Sequence, residues 1–242
     1  MEKICEKIQE WILSKVREAN AKGCVFGMSG GVDSSVVAIL AKRALGGKAL
    51  GLVLPCGSCP GDAHRANYVA KKFKIKTKKI SLSRVFDSLK GRLPDADNKT
   101  VGNLKSRLRM LVLYYFANRY RYLVLGTSNR SELRIGYVTK YGDSGVDLEP
   151  IGDLYKTEVI ELAEYLGIPK PVLKSTPTAG LWEGQTDRKE IGISYDRLDV
   201  ILKAMDSRLK PISFDPRVVG RIKKMIEKSG HKRRMPEVCR LS

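Results

Sequence analysis

The sequence predicts an α/β protein built around a doubly wound, mostly parallel sheet, and three observations carry this prediction. Short apolar segments alternate with helical segments of ten or more residues, which is the pattern of βα units in a parallel sheet. A stretch rich in glycine and serine separates the first such strand from the first long core helix. The chain has 242 residues, which is enough to bury a core of this kind as one or two domains.

The pattern can be followed element by element along the chain. Apolar residues recur at helical spacing from Ile4 to Val16, so a surface helix is predicted over residues 2–21. Beyond residue 150 the pattern is mainly helical, with a loop rich in proline and glycine at 167–193. The predicted strands span 24–28, 48–55, 77–82 and 122–126. The predicted core and C-terminal helices span 33–45, 61–73, 103–118, 153–166, 194–205 and 215–228.

We expect one domain over residues 1–242, because no internal repeat or low-complexity linker divides the sequence. It would comprise the N-terminal helix at about 2–21, an α/β core at about 22–167, and a loop and helical C-terminal part at about 168–242. About 20 residues precede the first predicted strand, so we expect no glutaminase domain ahead of it.

Composition narrows the class of protein without deciding its partner. The 45 basic and 26 acidic residues give a formal net charge of +19, which would attract polyanions but also fits a lysine-rich solvated surface. No apolar run is long enough to span a bilayer, and the charged N-terminal helix lacks the apolar stretch of a signal peptide. Five cysteines form no secreted disulfide framework, so we expect a cytoplasmic protein.

The stretch "GMSGGVDSS", residues 27–35, lies where a strand ends and a helix begins. Glycines let the backbone approach an anion there, and the free N–H groups and positive helix dipole favour phosphate. The lysine of the GxxxxGK[ST] loop is missing. A carboxylate repels phosphate unless a cation intervenes, so Asp33 is interpreted as a Mg²⁺ ligand. The alternative is an ordinary glycine-rich turn in which Asp33 caps the helix.

Two further residues follow the same logic. Glu132 comes shortly after the strand 122–126 and would supply a second carboxylate for Mg²⁺, although a lone acid often just begins a surface helix. Lys156 lies near the start of a predicted helix, where the dipole disfavours a cation, and this mismatch favours a functional role.

The motifs together resemble a known family. "SGGVDSS" is similar to the SGGxDS signature of N-type ATP pyrophosphatases. The blocks at 103–110, 126–159, 176–199 and 230–236 resemble successive motifs of NAD synthetases. The resemblance implies a Rossmann-like fold of the adenine nucleotide α-hydrolase type. It also implies that ATP adenylylates the nicotinate carboxylate of deamido-NAD, releasing pyrophosphate, and that ammonia then displaces AMP.

The resemblance also assigns individual residues, and Arg109 is expected to remain on a solvated helix face. The implied catalytic residues are Asp33, Lys156 and Thr178. The implied ATP-binding residues are Gly27, Met28, Ser29, Gly30, Gly31, Val32, Asp33, Ser34, Thr127, Lys156 and Thr178. The implied deamido-NAD-binding residues are Arg107, Lys140, Asp147, His231 and Lys232. The implied Mg²⁺ ligands are Asp33 and Glu132.

The family likeness further implies a homodimer. The predicted helix 103–118 carries more apolar residues than one core-facing stripe needs, so we expect part of it to pack against a second subunit. The residues concerned are Leu104, Leu108, Leu111, Val112, Tyr115 and Phe116.

Two other functions remain open from the sequence. Cys56 and Cys59 form a C-x-x-C motif, which together with the positive charge suggests a sulfur-inserting, tRNA-modifying ATP pyrophosphatase. No second C-x-x-C completes a zinc site, and structural cysteines are the simpler interpretation. A basic module that only binds nucleotides or nucleic acid is the other alternative. We favour ammonia-dependent NAD synthesis, with small-molecule substrates, no membrane and no nucleic acid partner.

Overall fold

The computed structural model describes residues 1–57, 60–207 and 214–241. Its sheet has four parallel strands in the order β3-β2-β1-β4. The α/β class with a parallel, doubly wound sheet is therefore confirmed. The strands are β1 (Gly23–Gly27), β2 (Ala49–Val53), β3 (Lys76–Lys79) and β4 (Tyr122–Leu125).

Helices flank the sheet and form most of the C-terminal part. Short 3-10 turns span Gly46–Lys48 and Gly230–Arg233. The helices of the first half are α1 (Glu2–Glu18), α2 (Val32–Leu45), α3 (Pro60–Lys72), α4 (Ser83–Lys90), α5 (Asn98–Tyr120) and α6 (Arg130–Ile135). Those of the second half are α7 (Lys156–Tyr165), α8 (Lys170–Leu173), α9 (Asp187–Ile191), α10 (Tyr195–Asp206) and α11 (Pro216–Lys228).

The core lies on both faces of the sheet. Strand β2, with the sequence ALGLV, is buried along its whole length, as expected for a parallel strand covered on both sides. Helices α1, α2, α3 and α7 contribute to the hydrophobic cluster on one face, and α4 and α5 to the cluster on the other. A third cluster joins α6 to α10 and α11.

The strand order determines where a ligand can bind. The chain runs from β1 through β2 to β3 in one direction, and β4 pairs with β1 on the opposite side. In open parallel sheets the crevice at such a switch point, beyond the carboxyl ends of the strands, is the usual ligand site. The loops that follow β1 and β4 therefore meet there.

Several element boundaries differ from those predicted. The helix predicted at 103–118 begins at Asn98, because the Asp97 carboxylate accepts a hydrogen bond from the Thr100 N–H (2.8 Å) and caps it. The helix predicted from residue 153 begins at Lys156, where the Glu158 carboxylate accepts from the Tyr155 N–H (2.9 Å). Helices α4 and α6 were not predicted, and the predicted loop 167–193 contains α8 and α9.

Among the described residues, none of the helices combines the length and the apolar character needed to cross a membrane.

Candidate functional site

A cavity of about 830 Å³ opens at the carboxyl edge of the sheet. It is lined by the loops after β1 and β4, by α5, by the segment before α9 and by the end of α11. The predicted site residues that line it are Gly27, Met28, Ser29, Gly31, Val32, Asp33, Ser34, Thr127, Glu132, Lys156, Thr178, His231 and Lys232.

The loop between β1 and α2 is held in shape by its own hydroxyls and by α3. The Ser29 hydroxyl accepts from the Gly31 N–H (3.2 Å) and lies 2.9 Å from the Ser34 hydroxyl. Gly30 has φ +85°, and a Cβ placed on it would lie 2.2 Å from the Asp62 carbonyl oxygen. Only glycine fits this position, which packs against α3 while the rest of the loop faces the cavity.

Two carboxylates and one ammonium form the centre of the site. Asp33 lies in the first turn of α2, and its Oδ2 accepts a hydrogen bond from Lys156 Nζ. Glu132 Oε1 lies 3.8 Å from the same Nζ. Asn129 Nδ2 donates to Asp33 Oδ1 (3.0 Å), which ties the loop after β4 to α2. The Lys156 side chain is only 5% exposed, so these contacts are made largely out of water.

Burial and charge act in opposite directions on the three groups. Burial lowers the pKa of Lys156, but the Asp33 and Glu132 carboxylates outweigh it and raise that pKa, so the ammonium stays protonated. Burial and the neighbouring Asp33 charge raise the pKa of Glu132 above its usual range, while the Lys156 ammonium lowers it. Two carboxylates that share one cation form the oxygen donor set that Mg²⁺ prefers.

The described residues contain no group of three or more histidine, cysteine or acidic side chains arranged to hold a metal. Asp33 and Glu132, which both lie within ion-pair distance of Lys156 Nζ, are the carboxylate pair that could hold Mg²⁺ here.

A second acidic cluster, not predicted from the sequence, adjoins the first. The Tyr195 hydroxyl donates to Asp187 Oδ2 (2.8 Å) and to Glu132 Oε1 (3.3 Å). The Tyr137 hydroxyl donates to Asp187 Oδ1 (3.1 Å) and to Glu190. Burial raises the pKa of Asp187. These contacts join α9 and α10 to the carboxylate that the sequence assigns to Mg²⁺.

The predicted deamido-NAD residues fall into two groups. Lys140 Nζ donates to the His231 carbonyl oxygen (2.7 Å), and the exposed Arg107 donates to the Lys140 carbonyl oxygen (3.3 Å). Lys232 Nζ donates to two carbonyl oxygens of the segment 136–138, at 2.8 and 2.7 Å. Hydrogen bonds and chain adjacency therefore link these four residues, of which His231 and Lys232 line the cavity.

Asp147 lies apart from that group. It accepts from the Val124 N–H (2.7 Å) and the Tyr114 hydroxyl (2.9 Å). Neither Arg107, Lys140 nor Asp147 is among the cavity-lining residues. Their assignment to deamido-NAD stays a prediction.

Arg109 corrects one expectation. It lines the cavity and its Nε donates to the Leu54 carbonyl oxygen (3.2 Å) at the end of β2, so the expectation of a solvated helix face is wrong. The reason is helical geometry: residues two apart lie on different sides of α5, and Arg107 takes the exposed side. Arg109 is the arginine of this pair that faces the site.

Cys56 is fully buried in the cluster between the sheet and α5, and burial raises the pKa of its thiol. A thiol in that setting is a poor nucleophile and a poor metal ligand, which favours a structural role. Cys59 lies outside the described residues.

Comparisons with known proteins agree with this architecture. A family model described as NAD synthase matches residues 4–236. An NH(3)-dependent NAD(+) synthetase of Carboxydothermus hydrogenoformans is 45% identical over 238 residues, covering 96% of this chain and 95% of the relative. Among solved structures, an NMN synthetase from Francisella tularensis has a TM-score of 0.90 at 33% identity, covering 98% of both chains. An NH3-dependent NAD synthetase from Campylobacter jejuni has a TM-score of 0.87 at 32% identity, covering 99% of both.

Proposed function

The chain belongs to the NAD synthase family, and from this premise we propose that it makes NAD from deamido-NAD, ATP and ammonia. The observation that carries the proposal is the Asp33–Lys156–Glu132 cluster beside a glycine- and serine-rich loop at a helix N-terminus. This combination suits the polyphosphate of ATP, because the N-terminus of α2, serine hydroxyls and an ammonium line one cavity.

Each group has a distinct task in this proposal. The loop 27–34, Thr127 and Thr178 bind ATP, and Lys156 turns from Asp33 to the phosphates when the nucleotide is present. Asp33 and Glu132 hold Mg²⁺, which would neutralise the charge of the departing pyrophosphate. The support is the 3.8 Å separation of Lys156 Nζ from Glu132, which shows that one cation already serves both carboxylates.

The chemistry then takes two steps. A carboxylate oxygen of the nicotinate attacks the α-phosphorus of ATP, a P–O bond forms, and the bond to pyrophosphate breaks. The nitrogen of NH₃ attacks the activated carbonyl carbon, AMP leaves with the bond electrons, and one proton is lost from nitrogen. We assign the binding of deamido-NAD to Arg107, Lys140, Asp147, His231 and Lys232. The assignment is supported by the hydrogen bonds that link Arg107 to Lys140 and Lys140 to His231.

The finer partners are also proposals. We infer a cytoplasmic homodimer that acts on small molecules and has no nucleic acid or membrane partner. The family match and the relatives support amidation rather than sulfur insertion into tRNA.

The test is an assay with ATP, Mg²⁺, deamido-NAD and ammonium, in which AMP and NAD should form one for one. Asp33→Asn and Glu132→Gln remove the charges that hold Mg²⁺ and should abolish AMP formation while the fold survives. Asp153→Asn makes the same change on an exposed carboxylate that pairs with Arg130, and should leave activity unchanged. Normal turnover in either site variant would overturn that residue's assignment.

One solved relative is named NMN synthetase, so the acid substrate itself needs a direct comparison. Nicotinate mononucleotide, which would give NMN by the same chemistry, should be offered beside deamido-NAD. We expect the larger kcat/KM for deamido-NAD. The reverse ranking would replace the proposed substrate while keeping the reaction type, and AMP formed only with tRNA and a sulfur donor would replace both.

A further inference from the structure

The motif block at 176–199 ends on helix α10, and the proposed function assigns no role to that helix. We propose that Asp199 on α10 is a positioning residue that acts through Ser131 to fix Lys156 at the ATP site. This inference rests on the proposed role of Lys156 at the phosphates. It concerns residues that do not themselves touch the nucleotide.

Asp199 joins three helices at one point. It is 1% exposed, its Oδ1 accepts from the Ser131 hydroxyl (2.5 Å), and its Oδ2 accepts from the Thr157 N–H (2.9 Å). The Ser131 oxygen in turn accepts from the Lys156 N–H (2.9 Å). The carboxylate of α10 and the hydroxyl of α6 therefore satisfy the first two N–H groups of α7.

The location of this bridge explains why a buried carboxylate is stable there. The first N–H groups of a helix have no partner within the helix, and the dipole is positive at that end. Hydrogen bonds to a charged acceptor are short and strong. The bridge thus fixes the main chain of Lys156 and the direction in which its side chain leaves the helix.

The same face of α10 also contacts the other end of Lys156. Tyr195 lies four residues before Asp199, one helical turn away, so the two side chains share a face. The Tyr195 ring centroid is 5.3 Å from Lys156 Nζ, while its hydroxyl bonds Asp187 and Glu132. Helix α10 therefore fixes the backbone of Lys156 through the Asp199 bridge and places the Tyr195 ring beside its ammonium.

Fixing a catalytic group matters because small displacements in an active site cost much of the rate. A misplacement of about 1 Å from a change outside the chemistry can cost on the order of 10²-fold. Losing the Asp199 bridge should act on the step that Lys156 assists. It should not act on the proposed deamido-NAD residues, whose hydrogen bonds go to other parts of the chain.

The experiment compares Asp199→Asn with a matched control on the same helix. Asp206 also bonds α6 and the residue before α7, but its hydrogen bonds go to Arg130, Arg134 and Tyr155 rather than to Ser131 or Lys156. Asp199→Asn should lower kcat for AMP and NAD formation by on the order of 10²-fold, with an unchanged KM for deamido-NAD. Asp206→Asn should lower the melting temperature and leave kcat near that of the unmodified protein.

A second pair of variants keeps the test independent of the folding of Asp199→Asn. Ser131→Ala removes only the bridging hydroxyl and should lower kcat, whereas Ser131→Thr retains a hydroxyl and should restore most of it. In the double variant Asp199→Asn/Ser131→Ala the loss should equal that of the larger single loss, because both changes break one bridge.

Three results would overturn the inference: normal kcat in Asp199→Asn, an equal kcat loss in Asp206→Asn, or additive losses in the double variant. If Asp199→Asn does not fold, a normal kcat in the Ser131→Ala protein would overturn the inference instead. Failure of the unmodified protein to make NAD would instead count against the proposed function, so the two failures remain distinguishable.

Discussion

Lys156 is the residue that balances the charge of the site. Its ammonium pairs with Asp33 and lies 3.8 Å from Glu132, so removing it leaves two partly buried carboxylates facing each other. Removing one partner of a buried ion pair typically costs about 3–5 kcal/mol. Because the Asp33 and Glu132 side chains are 17% and 15% exposed, water should reduce this loss.

We therefore expect Lys156→Gln to lose AMP formation and to unfold at lower urea concentration. Its free energy of unfolding should fall by up to about 3 kcal/mol. Added Mg²⁺ should recover more stability in this variant than in the unmodified protein, since the ion replaces the missing cation between the carboxylates. Urea denaturation with and without Mg²⁺ measures both effects. Equal Mg²⁺ shifts in the two proteins would argue against a metal site at this pair.

Glu149 gives a pH-dependent prediction. Its carboxyl packs so closely on Gly126 that a Cβ there would lie 2.3 Å from it, and only one oxygen accepts a hydrogen bond, from the Ser128 N–H (3.1 Å). The other oxygen has no hydrogen-bond partner among the described residues. Burial raises the pKa of Glu149 to about 8 from 4.5, so the folded protein favours the neutral acid.

The sign follows from linkage. The contribution of the neutral Glu149 carboxyl to the free energy of unfolding is complete below pH 4.5. It is lost as pH rises towards the folded pKa of about 8. Glu149→Gln stays neutral, so its stability relative to the unmodified protein should increase over that interval, by about 1.4 kcal/mol per pH unit at most. Urea denaturation from pH 5 to 8 tests this. Glu161→Gln, at an exposed position of α7, serves as the control. If the stability difference between Glu149→Gln and the unmodified protein did not change with pH, Glu149 would not be a neutral acid in the folded protein.

Single residues also show what the sequence could and could not predict. Asp33, Glu132 and Lys156 carry motif signals, and the structure brings all three together. Asn129 bonds Asp33 across 96 positions, and no local pattern encodes such a contact. Its one signal was the capping box, because Asn129 lies three residues before Glu132 and the two bond reciprocally.

Among the elements, the β1–α2 turn has the strictest backbone requirement. Alanine at Gly30 would adopt a positive φ at a cost of about 1–2 kcal/mol, before its Cβ meets the Asp62 carbonyl oxygen. Gly30→Ala should therefore lower both stability and ATP affinity. Gly220→Ala is the control, because that glycine lies inside α11 with open space around it. Alanine there should raise the free energy of unfolding, by at most about 1 kcal/mol. ATP titration and thermal melting of both variants distinguish a loop effect from a general one.

The elements differ in how well the sequence encodes them. The buried strands and α2 are apolar runs bounded by glycine, and their prediction was confirmed within a few residues. Helix α6 has six residues, too short for a periodic pattern, and α4 keeps only Phe86 buried. Helix α6 begins at a capping box, and α4 is held by the packing of Phe86 in the cluster beside α5, and periodicity registers neither feature.

For the whole molecule, part of the large positive charge has a structural explanation. The edge strand β3 reads KTKK, and its lysines are exposed. Lysines on an edge strand disfavour pairing of the sheet with another chain, which accounts for these three lysines without invoking a polyanionic partner. The opposite edge is extended by the bridge between Leu125 and Leu148.

The homodimer prediction concerns the outer face of α5. Leu111 and Tyr115 are 59% and 61% exposed and lie one helical turn apart, which gives a second subunit an apolar stripe to cover. The double change Leu111→Lys/Tyr115→Lys should shift the protein to a monomer in light scattering. Val200→Lys, at an exposed apolar site on α10, should leave the mass unchanged. A monomeric but active unmodified protein would contradict the prediction.

Glutamine alone should give no NAD with the isolated chain. Glutamine hydrolysis needs an activated cysteine beside a base, and burial raises the pKa of the Cys5, Cys24 and Cys56 thiols. Pure protein should be supplied with glutamine as sole nitrogen source after contaminating ammonia has been removed. Sustained NAD production would overturn ammonia dependence, though not NAD synthesis itself.

The form of the nitrogen donor leads to a prediction about pH. Only neutral NH₃ carries the lone pair that attacks the adenylylated carboxylate, and its share of total ammonium rises with pH. At fixed total ammonium, with ATP and deamido-NAD saturating, the rate of NAD formation should therefore climb with pH and fall on one curve when plotted against NH₃ concentration. ATP–pyrophosphate exchange without ammonia, which reports only the first step, should lack this rise. If NAD formation instead followed total ammonium at every pH, the site would have to bind NH₄⁺ and remove its proton, and a carboxylate of the cavity would then be needed as base.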